Sequence, residues 1–459
     1  MSRFALIGLE SAPPRFLFDL WRDDLPNIGS VMKEGMHGVL GGTIPSSAIP
    51  AWTSMAACQD PGQLGLYGPT VRAARDHAQP VEATSEHVRA KTIWNYLSNQ
   101  KLNSLVFAYP ETWPPKPLKG VLVAGAETPA KDAQWTYPRE ASREVEAAAD
   151  GDYMFDATGY GGPENERLLE QVYEMTRRRF AAFRQFARKK EFDFMSLVEI
   201  GPDRVQRAFW RHLDPEHPRY EAGHRHGSAI HDYYVFLDEE LGRLLNDLPT
   251  DTSVMIVSAR GARRSNGAFR INEWLRKEKL LAFKEAPEES GPLAFDKVDW
   301  GKTKAWAEGG STARVYMNVK GREPKGGVPE ADLESFRGEL EARLSAIADE
   351  SGSPLAPEVS RPEKIYRAAN GVAPDFLVRF AGRSLRVSGD VGGGAFFLGA
   401  GEGDAPDADS DPEGVVIWDH PAKLRPKRKE RYSVYDIAPT ILSFFNLELP
   451  AHWIGEPLF

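Results

Sequence analysis

Continuous apolar runs recur at widely separated points of the chain: Phe4–Leu9, Ser104–Ala108, Phe192–Val198 and Ser253–Ser258. Each is short, rich in Val, Ile, Leu or Phe, and closed by polar residues. Unbroken apolar runs of this kind predict strands covered on both faces, as in a parallel sheet. Between them, apolar positions recur at helical spacing over Leu25–Glu34, Thr92–Asn99, Leu168–Lys189 and His231–Asp247. Strands alternating with amphipathic helices predict an α/β sandwich around a mostly parallel central sheet. Reactive loops in such a sheet lie at the carboxyl ends of its strands. Val415–Trp418 adds a further strand near the end of the chain.

The remaining segments read as additions to that core. Residues 126–185 are polar and helical, a cap insertion with a Gly-rich turn at Gly159–Gly162. Residues 321–365 hold a charged helix, Glu330–Glu350, and read as a peripheral insertion. The core is then assembled from 1–125, 186–320 and 366–459. Within the last part, Gly389–Asp411 is rich in Gly, Asp and Ala, which predicts a mobile loop.

Composition narrows the function. The chain has 459 residues, 41% of them hydrophobic, enough for a large core. Lys and Arg number 57 against 66 Asp and Glu, a net charge of −9, which argues against a nucleic-acid partner. A basic pocket within one cleft remains compatible with that balance. One cysteine, Cys58, allows neither an intramolecular disulfide nor a thiolate metal cluster. No apolar run approaches the roughly 20 residues of a membrane helix. Phe4–Leu9 is too short for the core of a signal peptide. The expectation is a cytoplasmic protein without a membrane partner.

The chemistry-bearing segments come in a definite order. Ile7-Gly8-Leu9-Glu10 ends the first strand, and Thr43-Ile44-Pro45 leads through Pro50-Ala51-Trp52-Thr53-Ser54 to Asp60-Pro61-Gly62. Asp203 through Trp210 follows, continuing to Asp214-Pro215-Glu216-His217-Pro218, and then Val257-Ser258-Ala259-Arg260-Gly261. Ala373-Pro374-Asp375, Tyr435–Leu442 and Trp453–Leu458 complete the series. Taken together these segments resemble the alkaline phosphatase superfamily, in its type I phosphodiesterase/nucleotide pyrophosphatase branch. That resemblance implies an alkaline-phosphatase-like sandwich with cap insertions. It also implies a two-metal site built from three aspartates, three histidines and a nucleophile oxygen, with Thr53 at the place of the catalytic threonine.

Most of those ligands are replaced here. By the resemblance, Glu10 stands for an aspartate, Arg207 for a histidine, and Ala259 and Arg260 for an Asp-His pair. Ser410-Asp411-Pro412-Glu413-Gly414 lacks the histidine that precedes a similar segment in the family. Asp203 and Thr53 are retained. Arginine stays protonated and has no lone pair for a metal. Arg207 and Arg260 therefore put fixed cations where divalent ions are expected, and paired with Glu10 and Asp203 they give a neutral cluster. The expectation is no metal and no cofactor. His224, His226 and His231 form a cluster before a helix, a poor basis for a rebuilt metal site.

The candidate catalytic residues are Thr53, Glu10 and Asp203, and the candidate substrate contacts are Arg207, Arg260, Arg204, Arg263 and Trp52. Arg204, Arg263 and Arg264 flank the same loops and are more readily read as solvated surface charges, the usual fate of such residues. Three functions follow. The first is binding of an anionic small molecule in an arginine-substituted pocket, with metal-independent repurposed chemistry. The second is an inactive pseudoenzyme that binds or scaffolds a protein partner. The third is a metal-dependent phosphodiesterase or phosphatase with rebuilt ligands.

Overall fold

Strands with no polar face must be covered twice, and in the computed structural model the four apolar runs lie side by side inside one sheet. The structure describes residues 3–158, 166–189, 191–349, 351–403, 405–420 and 430–459. The runs form Arg3–Leu9, Ser104–Tyr109, Phe194–Glu199 and Thr252–Ser258. The full order across the nine-stranded sheet is Tyr432–Ser433, Met36–Gly41, Glu413–Asp419, Thr252–Ser258, Arg3–Leu9, Phe194–Glu199, Ser104–Tyr109, Gly120–Ala124 and Thr136–Tyr137. The five strands from Thr252–Ser258 to Gly120–Ala124 are mutually parallel. Glu413–Asp419 runs against them, with Val415 opposite Ser258. Helices Pro26–Glu34, Ile93–Asn99, Glu166–Ala187 and Ala229–Asp247 occupy the segments where helical periodicity places them. The fold is mixed α/β, with a large, mostly parallel sheet flanked by helices.

Two apolar cores fill the molecule. The first surrounds the central sheet. The second spans Phe269 to Val391 and gathers under a four-stranded antiparallel sheet. This second core takes residues from both sides of the expected boundary at 320/321, because Trp306 and Tyr316 pack with Phe336, Leu340 and Leu344 of the helix Leu333–Ser345. In the expected cap, helices Ala141–Ala148 and Glu166–Ala187 bury Val145, Leu168, Val172, Phe180 and Phe183 in the first core. The Gly159–Gly162 turn lies outside the described residues. Gly389–Asp411 differs from the mobile loop its composition predicts. Ala408–Asp411 is a strand paired antiparallel with Gly261–Arg264, and Asp407, Asp409 and Ser410 are buried. Gly and Asp content signals a loop only when the backbone finds no partner strand.

Candidate functional site

Register explains why residues far apart in sequence meet. Arg3–Leu9 lies between Phe194–Glu199 and Thr252–Ser258, all three parallel. Whatever follows each strand therefore emerges at one edge of the sheet. Glu10 follows the first strand, the helix Gly201–Leu213 follows the second, and Arg260 follows the third. The antiparallel strand Glu413–Asp419 begins at that same edge and brings Ser410 just before it.

The turn after the first strand is set by Ser11, which adopts φ 63°, a left-handed conformation uncommon outside glycine. Its hydroxyl donates to Asp203 Oδ1 at 2.8 Å, and its carbonyl accepts from Gln206 Nε2 at 3.1 Å. Gly8 makes room from beneath. A Cβ there would approach the Trp52 ring to 2.5 Å, so glycine lets the indole lie close enough for its Nε1 to donate to Glu10 Oε2.

Arg260 is the centre of the assembly, with Glu10, Asp203 and Arg260 each 3% exposed. Its Nε donates to Glu10 Oε1 at 2.7 Å and its Nη2 to Asp203 Oδ1 at 2.9 Å. Nη1 donates to Ser410 Oγ at 2.5 Å. Asp203 sits in the first turn of its helix, where the dipole favours an anion. One turn along, Arg207 Nε donates to Asp203 Oδ2 at 2.8 Å, and Arg204 Nη1 reaches the same oxygen at 2.6 Å. Arg204 also grips Asp156 with Nε at 2.8 Å and Nη2 at 2.6 Å. Three carboxylates thus meet three guanidinium groups. Burial alone would raise the Asp203 pKa, but Arg207, Arg260 and Arg204 hold it well below the usual carboxylate range. Such a carboxylate is a weak proton acceptor.

The structure brings Glu10, Asp203, Arg207, Arg260 and Arg204 into one neighbourhood and leaves the other candidates apart from it or differently engaged. Trp52 is fully buried, so its polar contact is with Glu10 rather than with a cleft. Arg263 donates to the Ala381 carbonyl at 2.9 Å instead of joining the cluster. Arg264 pairs with Glu216 at the surface. Thr53 lies inside its helix rather than at its start. The helix runs Ala48–Ala57 with Ser47 before it, because helical geometry is already adopted two residues before Pro50, which sits in the first turn where proline is tolerated. Thr53 is thus past the first turn, away from the free N–H groups, and its buried hydroxyl has no hydrogen-bond partner among the described residues. Sequence reasoning missed Asp156, Ser11 and Ser410. A fork partner for an extra buried arginine is a signal by charge count alone, but nothing in the sequence says which acid supplies it.

Arg207 differs from its neighbours. Its side chain is 20% exposed, and Nε is engaged with Asp203. Its Nη groups have no partner among the described residues. Also among the described residues, no group of three or more His, Cys, Asp or Glu side chains could hold a metal ion.

A sequence model of the type I phosphodiesterase/nucleotide pyrophosphatase family matches residues 4–400. The chain belongs to this family. Its fold is that of the alkaline phosphatase superfamily. Phosphonoacetate hydrolase from Sinorhizobium meliloti 1021, solved with phosphonoacetate, superposes with a TM-score of 0.60 at 17% identity, over 95% of this chain and 94% of that one. Human ectonucleotide pyrophosphatase/phosphodiesterase 5 superposes with a TM-score of 0.57 at 12% identity, over 99% and 97%. The murine counterpart, inactive and bound to AMP, gives 0.56 at 12% identity, over 99% and 98%. No curated protein sequence matches the chain. No helix among the described residues is long and apolar enough to cross a membrane.

Beside this family site lies a pair of titratable groups. His212 and His217 are buried, and burial pushes each imidazole down to about 4. Their neutral forms are therefore favoured in the folded chain. The stability they contribute is intact above the unfolded value near 6.5 and is lost as pH falls through 4. A tenfold difference in proton affinity between the folded and unfolded chain is worth about 1.4 kcal/mol. His217→Gln is expected to flatten the loss of unfolding free energy between pH 6.5 and 4 by roughly 2 kcal/mol. Denaturant titrations across that range check this; a curve parallel to wild type would refute it.

Proposed function

We propose that this family member binds an anionic small molecule at the open edge of an ion-pair cluster that stands where its relatives' metals are expected. The partly exposed side chain of Arg207, whose Nη groups have no partner among the described residues, stands next to a buried ion-pair cluster and carries the reading. A guanidinium offers two parallel donors to a carboxylate or phosphate oxygen pair. Phosphonoacetate hydrolase and the murine phosphodiesterase, each solved with a small anion, support the ligand class by analogy of fold.

The donor set does not fit a two-metal centre. Glu10 and Asp203 are each committed to Arg260, and a divalent ion would have to displace the guanidinium groups that already neutralise these carboxylates. Thr53 has no hydrogen-bonded base among the described residues, and Asp203 is too well paired to act as one. These points favour binding over hydrolysis. Metal-independent chemistry is the second reading, and Asp407 supports it. Burial raises its pKa to about 6 despite Arg211 and Arg219, a value suited to proton transfer near neutrality. Its backbone N–H bonds the Arg207 carbonyl at 3.1 Å.

Two measurements test the proposal. Elemental analysis after incubation with zinc, manganese or magnesium should find well under one ion per chain. Two tightly held ions would overturn the metal-free reading. Titration with phosphate, AMP and phosphonoformate should give saturable binding of at least one. Arg207→Ala is expected to weaken it by about tenfold or more, the value of one charge-assisted contact. Unchanged affinity would remove Arg207 from the site.

A further inference from the structure

Asp156 is the member of the cluster that comes from outside the sheet, in the segment after helix Ala141–Ala148. Its two oxygens fill the fork of Arg204 as a bound carboxylate ligand would. Arg204 Nη1 and Arg207 Nε both converge on Asp203 Oδ2, at 2.6 and 2.8 Å. Two guanidinium groups therefore stand side by side. One has its fork taken by Asp156, and the other has Nη groups without a partner among the described residues.

Charge and exposure single out Asp156 as the removable partner. Glu10 and Asp203 leave the three arginines with a single excess positive charge, which Asp156 cancels. Its side chain is 23% exposed, against 4% for Asp203. On leaving Arg204 it would return to water, whereas Asp203 could not. The backbone beside it is fixed independently, since Arg179 Nη2 holds the Phe155 carbonyl at 2.9 Å. A side-chain rotation is then enough to vacate the fork.

The geometry points to Asp156 as an internal stand-in for a phosphate or phosphonate headgroup that Arg204 and Arg207 bind together. This deepens, and rests on, the anion-binding reading above. A carboxylate has two oxygens and fills one fork. A tetrahedral headgroup has a third oxygen, which can reach the open donors of Arg207 while two occupy Arg204. Its extra negative charge also matches the cationic site that the departing Asp156 leaves. Binding is a competition, so Asp156 sets the affinity without touching the ligand.

Calorimetric titration of the full chain with inorganic phosphate, in wild type and Asp156→Asn, tests this directly. The variant is expected to bind phosphate about tenfold tighter, the change from removing a like charge beside the ligand, and acetate less tightly than phosphate. The Ala157 amide, which donates to Asp156 Oδ1 at 2.8 Å, provides a readout in the unaltered protein. Saturating phosphate should speed its hydrogen exchange. Equal phosphate affinity in the two proteins overturns the stand-in role and leaves anion binding at Arg207 in place. Acetate binding as tight as phosphate overturns the tetrahedral headgroup. Absence of phosphate binding in both proteins overturns the inference together with the reading beneath it. Where Asp156→Asn fails to fold, Ala157 exchange in wild type decides, and exchange indifferent to phosphate overturns the proposal.

Discussion

Arg260→Ala is expected to lower the unfolding free energy by about 3–5 kcal/mol, the usual consequence of removing one partner of a buried ion pair. The guanidinium holds Glu10 and Asp203 at once, and both carboxylates are nearly inaccessible to water. Without it, Glu10 keeps the Trp52 indole N–H, and Asp203 keeps Ser11, Arg204 and Arg207. Glu10 is thus the carboxylate that bears most of the penalty. Glu10→Gln in the same chain should recover a large part of the loss, because a neutral amide still accepts from Trp52. Melting and denaturant curves of the two single variants and the double variant measure that coupling. An Arg260→Ala protein as stable as wild type would show that the cluster is not a stabilising unit.

The sheet was legible because its strands are covered on both faces and therefore read as unbroken apolar runs. Parallel pairing then brought Glu10, Asp203 and Arg260 to one edge, which sequence order and strand type together predict. What stayed hidden depends on the third dimension. Asp156 enters through a side-chain fork across 48 positions, with no periodicity to announce it. Ser410 lies in a stretch whose composition reads as loop and whose backbone nonetheless finds Gly261–Arg264 as a partner. The start of the Ala48–Ala57 helix is hidden as well, because Pro50 fits within its first turn and does not mark its beginning. Arg204 and Arg263 are both arginines beside the same loops, and only tertiary contacts send one inward and the other to the Ala381 carbonyl.

The cluster also has an order of dependence. Arg260 and Arg207 compensate Glu10 and Asp203, while Arg204 brings an additional charge that needs an additional acid. A fold that only had to neutralise two buried carboxylates would need no third arginine. Asp156 meets that third charge, so the anion-binding edge rests on Arg207, whose Nη groups have no partner among the described residues while the cluster beneath them is already neutral.

Arg179→Met is the second variant with a large expected effect, again about 3–5 kcal/mol, because it strands a fully buried carboxylate. Arg179 is 1% exposed and pairs with Glu199, which is 0% exposed, at 3.1 Å. Glu199 ends the strand beside the first one, and its Oε1 accepts from the Gly201 N–H at 2.7 Å, at the start of the helix that carries Asp203, Arg204 and Arg207. Its backbone carbonyl accepts from the Glu10 N–H at 2.8 Å. The pair therefore fixes two elements of the site from below. Methionine keeps most of the volume, so lost packing contributes little and the unpaired charge dominates. Adding Glu199→Gln should restore much of the stability, since the amide oxygen can still cap Gly201. The same Arg179 substitution frees the Phe155 carbonyl and loosens the hold on Asp156. Phosphate affinity of the doubly substituted protein should then rise or stay level while its melting temperature remains below wild type. Full wild-type stability of Arg179→Met alone would mean that Arg179 does not anchor the site.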